Sequence, residues 1–188
     1  MMRTAVLCAL LFVAGNAQTV GTLNLEQYLG RWYQVYADLP TEVFESRYCV
    51  TADYGLAKDG SVSVLNRERK KSVTGSESKI EGSARVVNAS EPGKLAVKFP
   101  VSPVPGEYWV YLLGPATTPS PTGQGLPLYD YSVVSDSRKV TLFVLARNVT
   151  LFQQKYDATI LEDLKGLGFS KFYNKPLATY QDGCTYWD

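Results

Sequence analysis

Short segments of β-type residues follow one another along most of this chain, and nearly every gap between them is filled by turn-forming residues. The segments are Arg31–Ala37, Tyr48–Ala57, Ser61–Lys70, Lys79–Asn88, Lys94–Phe99, Glu107–Leu113, Tyr129–Ser135 and Val140–Arg147, with Tyr173–Tyr180 as a ninth candidate. Lys58-Asp59-Gly60, Glu91-Pro92-Gly93 and Asp136-Ser137-Arg138-Lys139 are turn signals between neighbours. Only Pro115–Leu128 is long enough for the crossing that a Greek-key sandwich needs. An all-β, eight-stranded antiparallel up-and-down barrel is therefore expected. Such closure removes the exposed edges that an open sheet would leave. At that size the interior holds packed side chains or one small ligand.

Alternation assigns the inward face. Leu95, Val97 and Phe99 oppose Lys94, Ala96 and Lys98, and Val62 and Val64 alternate with Ser61 and Ser63. Ile80, Gly82, Ala84 and Val86 share a face on which Gly82 and Ala84 are small, leaving space or admitting a neighbour's bulk. One stretch breaks the period. Phe152, Tyr156, Ile160, Leu164 and Leu167 recur at helical spacing, which predicts a single C-terminal α-helix packed outside the barrel. Thr150 is the expected N-cap, and Gly166 or Gly168 the expected end.

The first residues read as a secretory leader. Arg3 precedes the apolar run Ala5–Ala14, and Gly15-Asn16-Ala17 offers small residues for cleavage after Ala17. Residues 1–17 are thus an expected signal peptide, residues 18–188 the barrel domain, and the product secreted. Basic and acidic residues balance, 19 against 18, which argues against a nucleic-acid partner. Histidine is absent, which excludes Ser-His-Asp and Cys-His catalysis and histidine-held haem. No metal, cofactor or catalytic residue is expected. Cys8 leaves with the leader, and Cys49 and Cys184 form an even pair in an oxidising compartment, so one disulfide is expected. Two free thiols, one of them catalytic, are the alternative.

Three short motifs mark the chain: Asn24 followed by Gly30-Arg31-Trp32-Tyr33, then Tyr129-Asp130-Tyr131, then Leu145-Ala146-Arg147 ahead of the helix. Together they resemble the three motifs of the lipocalin family, and the resemblance runs over essentially the whole domain. Val64-Leu65-Asn66, Ile80-Glu81-Gly82, Val87-Asn88-Ala89-Ser90-Glu91-Pro92 and Tyr108-Trp109 are similar to its apolipoprotein D and bacterial-type branch. The resemblance implies that Gly30, Trp32, Asp130, Tyr131 and Arg147 close the floor of the barrel, with the Arg147 guanidinium over the Trp32 indole. It also implies the Cys49–Cys184 pairing. Tyr129 stands where the second motif usually carries threonine, and Pro115–Leu128 is a longer connection, expected as an irregular insertion at the closed end.

By the same resemblance Tyr54, Asn66, Glu68 and Phe143 line a ligand cavity. The alternation agrees, and adds Gln34 and Tyr36, in phase with Trp32, and Phe99. Arg67, Arg69, Lys70 and Lys71 cluster toward the mouth, and Leu39, Val43, Phe44, Val101 and Val104 lie on mouth loops. Contact with a lipid surface there is a further expectation. Asn88 and Asn148 head N-glycosylation sequons at the closed end. The implied function is a non-enzymatic carrier for a fatty acid, sterol or related lipid. Rivals are a bilin or carotenoid binder, a lipocalin enzyme with a thiol in the barrel, and a defence or signalling module acting through its loops.

Overall fold

In the computed structural model, which describes residues 18–187, the chain makes a single helical turn, α1 (Leu25–Tyr28), and enters β1 (Gly30–Ala37). A second turn, α2 (Leu39–Glu42), leads to β2 (Tyr48–Leu56). Then come β3 (Val62–Arg69), β4 (Glu77–Val86), β5 (Lys94–Lys98) and β6 (Gly106–Leu113). A small hairpin of β7 (Ala116–Thr118) and β8 (Leu128–Tyr129) precedes β9 (Tyr131–Ser135) and β10 (Leu142–Ala146). Helices α3 (Val149–Lys155) and α4 (Asp157–Gly166) and a short β11 (Leu177–Ala178) follow. The expected leader, residues 1–17, lies outside the described residues.

Eight strands pair antiparallel in the order β1-β2-β3-β4-β5-β6-β9-β10, and β10 pairs back onto β1 to close the barrel. Two apolar clusters result. One lines the interior, from Trp32, Tyr28 and Leu145 to Val64, Ala84 and Leu95. The other lies between the outer face of β9–β10 and the helices, around Val133, Val144, Phe152, Ile160, Leu164 and Phe169. Strand β10 serves both, because successive side chains point to opposite faces. Gly82 admits bulk rather than leaving space: a Cβ there would stand 2.6 Å from the Phe99 ring.

Several elements depart from the sequence expectation. The predicted single helix is two, and Tyr156 at the junction donates its hydroxyl to Asp130 Oδ2 at 2.6 Å. The N-cap is Asn148, not Thr150; its side chain accepts from the Leu151 N–H. At the far end the N–H groups of Gly168 and Phe169 return to the carbonyls of Lys165 and Leu164, and Phe169 packs with Leu164, a Schellman closure. The predicted seventh strand, Tyr129–Ser135, is split at Asp130, and the insertion before it carries β7 and β8 rather than being wholly irregular. Asp130 explains both. Its buried carboxylate accepts from the hydroxyls of Thr117 (2.6 Å) and Thr118 (2.8 Å) as well as from Tyr156. The ninth segment shrinks to β11, which pairs with the upper half of β1 while β2 pairs with the lower half.

The floor is built around Arg147. Its guanidinium lies 3.6 Å from the centre of the Trp32 ring and donates to five carbonyls, those of Gln27, Tyr28, Leu29, Arg31 and Tyr129. The Tyr28 carbonyl also takes the Trp32 indole N–H at 2.8 Å. Gly30 turns the chain between α1 and β1 at φ +88°, and a Cβ there would sit 3.4 Å from Arg147 Nη1. The Cys49–Cys184 disulfide is formed, closing 135 residues and pinning the segment after β11 against the top of β2. That loop length corresponds to about 5 kcal/mol in the chain-entropy account.

Arg147, Gly30 and Asp130 each carry a stability prediction. Arg147→Lys keeps the charge but not the planar fork, and is expected to cost about 2–3 kcal/mol in urea denaturation. Gly30→Ala is expected to cost about 1–2 kcal/mol for its left-handed backbone. Burial alone would raise Asp130, but the hydrogen bonds from Thr117, Tyr156 and Thr118 hold it below the ordinary carboxylate value. Its stabilisation is therefore present above the unfolded value, about pH 4, and is lost as pH falls through the folded one. Asp130→Asn should destabilise at neutral pH, and its melting curve should converge on that of the parent protein at acid pH.

Candidate functional site

The interior cluster does not fill the barrel. A cavity of about 840 Å³, counting the space at its open mouth, runs down from the loops between strands. Its wall is mainly aliphatic and aromatic: Val50, Ala52, Val62, Val64, Ala84, Leu95, Val97 and Leu145 among others. Of the residues expected from sequence, Tyr54, Asn66, Phe143, Gln34 and Phe99 line it.

Tyr36 and Glu68 do not. The register between β1 and β10 shifts between Gln34 and Tyr36, a β-bulge. The extra residue breaks the alternation, so Val35 and Tyr36 both pack with the helix-side cluster. Tyr36 donates its hydroxyl to Asp157 Oδ1 at 2.7 Å, outside the barrel. Glu68 is buried near the mouth but turned to protein partners, the Ser46 N–H and the Lys70 ammonium. The basic cluster also disperses. Arg67 and Arg69 lie against the Trp187 ring on the outer face, and Lys70 pairs with Glu68.

Sequence reasoning missed Tyr28 and Tyr108, the partners of Tyr54 at the floor of the cavity. Tyr28, Tyr54 and Tyr108 converge there: the Tyr28 and Tyr108 hydroxyls are 2.8 Å apart, Tyr54 and Tyr108 3.1 Å, and Tyr28 also reaches Ser132 at 2.8 Å. Burial pushes the Tyr28 hydroxyl up to about 12 and raises Tyr54 and Tyr108 as well, so all three stay neutral at physiological pH. Tyr28 comes from α1, a single turn too short to show a period, although Asn24 is a recognisable N-cap for it. Tyr108 was legible in principle, in phase with Val110 on β6.

Near the mouth the missed residue is Glu45, which follows α2 and lines the cavity. One of its oxygens, Oε1, is buried without a hydrogen-bond partner, and so is Asn66 Oδ1. Burial pushes the Glu45 carboxyl up to about 8, with the Glu68 charge adding to the rise and Gln34 and Lys70 opposing it. Among the described residues no group of three or more Cys, Asp or Glu side chains converges as a metal site. The arrangement can bury an apolar body and meet one or two polar atoms. Both cysteines of the described residues are in the disulfide, so neither is a thiol nucleophile.

Comparison with known proteins agrees with this geometry. Residues 23–176 match the lipocalin-like domain family. Apolipoprotein D of Mus musculus is 40% identical over 88 residues, covering 46% of this chain and 44% of that protein, so the match spans less than half of its length. Temperature-induced lipocalin-1 of Arabidopsis thaliana is 30% identical over 85% of this chain and 82% of its own. The outer membrane lipoprotein Blc of Vibrio cholerae is 33% identical over 72% of this chain and 71% of its own. Among solved structures, lobster apocrustacyanin A1 superposes with a TM-score of 0.56 at 17% identity, covering 85% of this chain and 81% of that one, a likeness of fold alone. The family match covers most of the chain, and the closed barrel, the Arg147–Trp32 floor and the following helices accompany it: this chain belongs to the lipocalin family.

Proposed function

We propose that this protein is a secreted carrier that buries one small hydrophobic molecule, a fatty acid, sterol or related lipid, in the barrel and acts without catalysis. The observation that carries the reading is the cavity itself: a largely apolar space, walled by Val50, Val62, Val64, Leu95, Val97 and Leu145, inside a closed barrel with one open end. Family membership supports a small hydrophobic ligand. The thiol-enzyme alternative loses its nucleophile to the Cys49–Cys184 bond. That bond also supports an oxidising destination.

The rim supports a second contact, with a lipid surface that delivers or accepts the ligand. Val43 (84% exposed), Phe44 (65%) and Val101 (81%) project from mouth loops, with Leu39 and Val104 beside them. Asn88 and Asn148 are exposed at the opposite end, where glycans would leave the mouth free.

Burial sets the expected energetics, about 0.8 kcal/mol per ligand methylene. Tryptophan-fluorescence titration with straight-chain alcohols of increasing length should therefore show affinity rising by roughly fourfold per carbon until the cavity is full. Ala84→Trp, which puts an indole into the cavity from its β4 wall, should weaken every member of the series by about tenfold or more while the circular-dichroism spectrum keeps its β-barrel form. Equal affinity for short and long alcohols, unaffected by Ala84→Trp, would rule out the carrier reading.

A further inference from the structure

We infer that Glu45 is a specificity-determining residue of the cavity: its carboxyl receives the hydroxyl head of an alcohol-type lipid and discriminates against the carboxylate of a fatty acid. This rests on the carrier reading and narrows it. The geometry is that of an acid held at the mouth with one oxygen unsatisfied. Glu45 lines the cavity, and its Oε1 is buried without a partner. A buried oxygen in that state costs about 1–3 kcal/mol until a donor reaches it, which a ligand head can do. Asn66 Oδ1, on the β3 wall of the same cavity, is a second buried acceptor without a donor. Once Glu45 is ionised, both are vacant acceptors that call for a guest bringing O–H, and a carboxylate brings none.

The surrounding charges act in the same direction. Facing Glu45 are Gln34 of β1, Tyr54 of β2, Glu68 of β3 and Lys70 just beyond β3. Lys70 is the cation of this group, and its ammonium is already bonded to Glu68. A guest carboxylate would be a third acid beside one lysine that is already engaged. With its carboxyl pushed up to about 8, Glu45 holds its proton at neutral pH and offers one O–H and one acceptor, which an alcohol matches. Once ionised, it still accepts from an alcohol. A carboxylate guest is different, because it can sit against Glu45 only while the two acids share a proton. Binding of a fatty acid is thus linked to that proton, and binding of the alcohol is not.

The test compares lauryl alcohol with laurate, a pair differing only at the head, by isothermal titration of the full protein and of Glu45→Gln between about pH 7 and about pH 9. In the parent protein laurate is expected to weaken by about tenfold across that range, with the alcohol changing by less than about twofold. Glu45→Gln should abolish the alkaline loss of laurate and keep the alcohol bound, which also certifies the fold of the variant. Laurate binding that is flat with pH in the parent protein overturns the inference without needing the variant. So does an alkaline loss that survives in Glu45→Gln. If both ligands bind with equal affinity at every pH, the cavity reading stands and the role of Glu45 falls. If neither ligand binds either protein, both fall together.

Discussion

The guanidinium of Arg147 is the constraint on which the rest of the barrel depends. A charge this deeply buried persists only if every donor is met, and here five backbone carbonyls and an aromatic face meet it. The acceptors are not arbitrary. Gln27 and Tyr28 lie at the end of α1, where helical carbonyls have lost their own donors. Arg147 supplies those donors from the end of β10, so one side chain ties the first helical turn, the start of β1 and the last barrel strand together. Trp32 can then be fully buried, because its N–H shares the Tyr28 carbonyl with the guanidinium.

A second consequence runs outward from the same end. Asp130, one residue from the loop carbonyl that Arg147 uses, gathers the hydroxyls of Thr117, Thr118 and Tyr156. It thereby fastens the long insertion and the helix junction to the floor. The outer helices pack on the far face of β9 and β10, so the floor, the barrel wall and the helical layer form one connected body. The insertion stays below the cavity and leaves the mouth loops unencumbered.

The sequence disclosed what repeats and concealed what interrupts. Strand order and closure follow from the succession of short segments and turns, and Phe99 from its alternation with Leu95 and Val97; Tyr54 and Asn66 come from the lipocalin resemblance with alternation in agreement, and the floor motif was distinctive enough to recognise. Tyr36 was misplaced because a bulge adds one residue to β1, and alternation carries no mark of where a bulge falls. The helix was read as continuous because Tyr156 belongs to the apolar stripe; that its hydroxyl is captured by Asp130 depends on a partner 26 residues away. Glu45 escaped for a related reason. A carboxylate after a short helix ordinarily reads as a solvated turn residue, and only the path of the α2–β2 segment over the mouth brings it into the cavity.

These interruptions divide the barrel into two kinds of polar environment. At the floor the buried polar side chains described above have partners: Tyr28, Tyr54, Tyr108 and Ser132 bond to one another, and each guanidinium nitrogen of Arg147 donates to a backbone carbonyl. Groups already paired there gain little from exchanging a neighbour for a guest, so the floor accepts apolar surface and has little power to choose among heads. Near the mouth the balance is reversed. Glu45 Oε1 and Asn66 Oδ1 have no partner in the protein, and a guest can complete them. Selectivity in a hydrophobic pocket is weak for methylenes and strong where a buried polar atom is left unpaired by the wrong guest. In the proposed carrier, affinity is therefore set along the aliphatic wall, and choice is concentrated at the mouth, on the segment between α2 and β2.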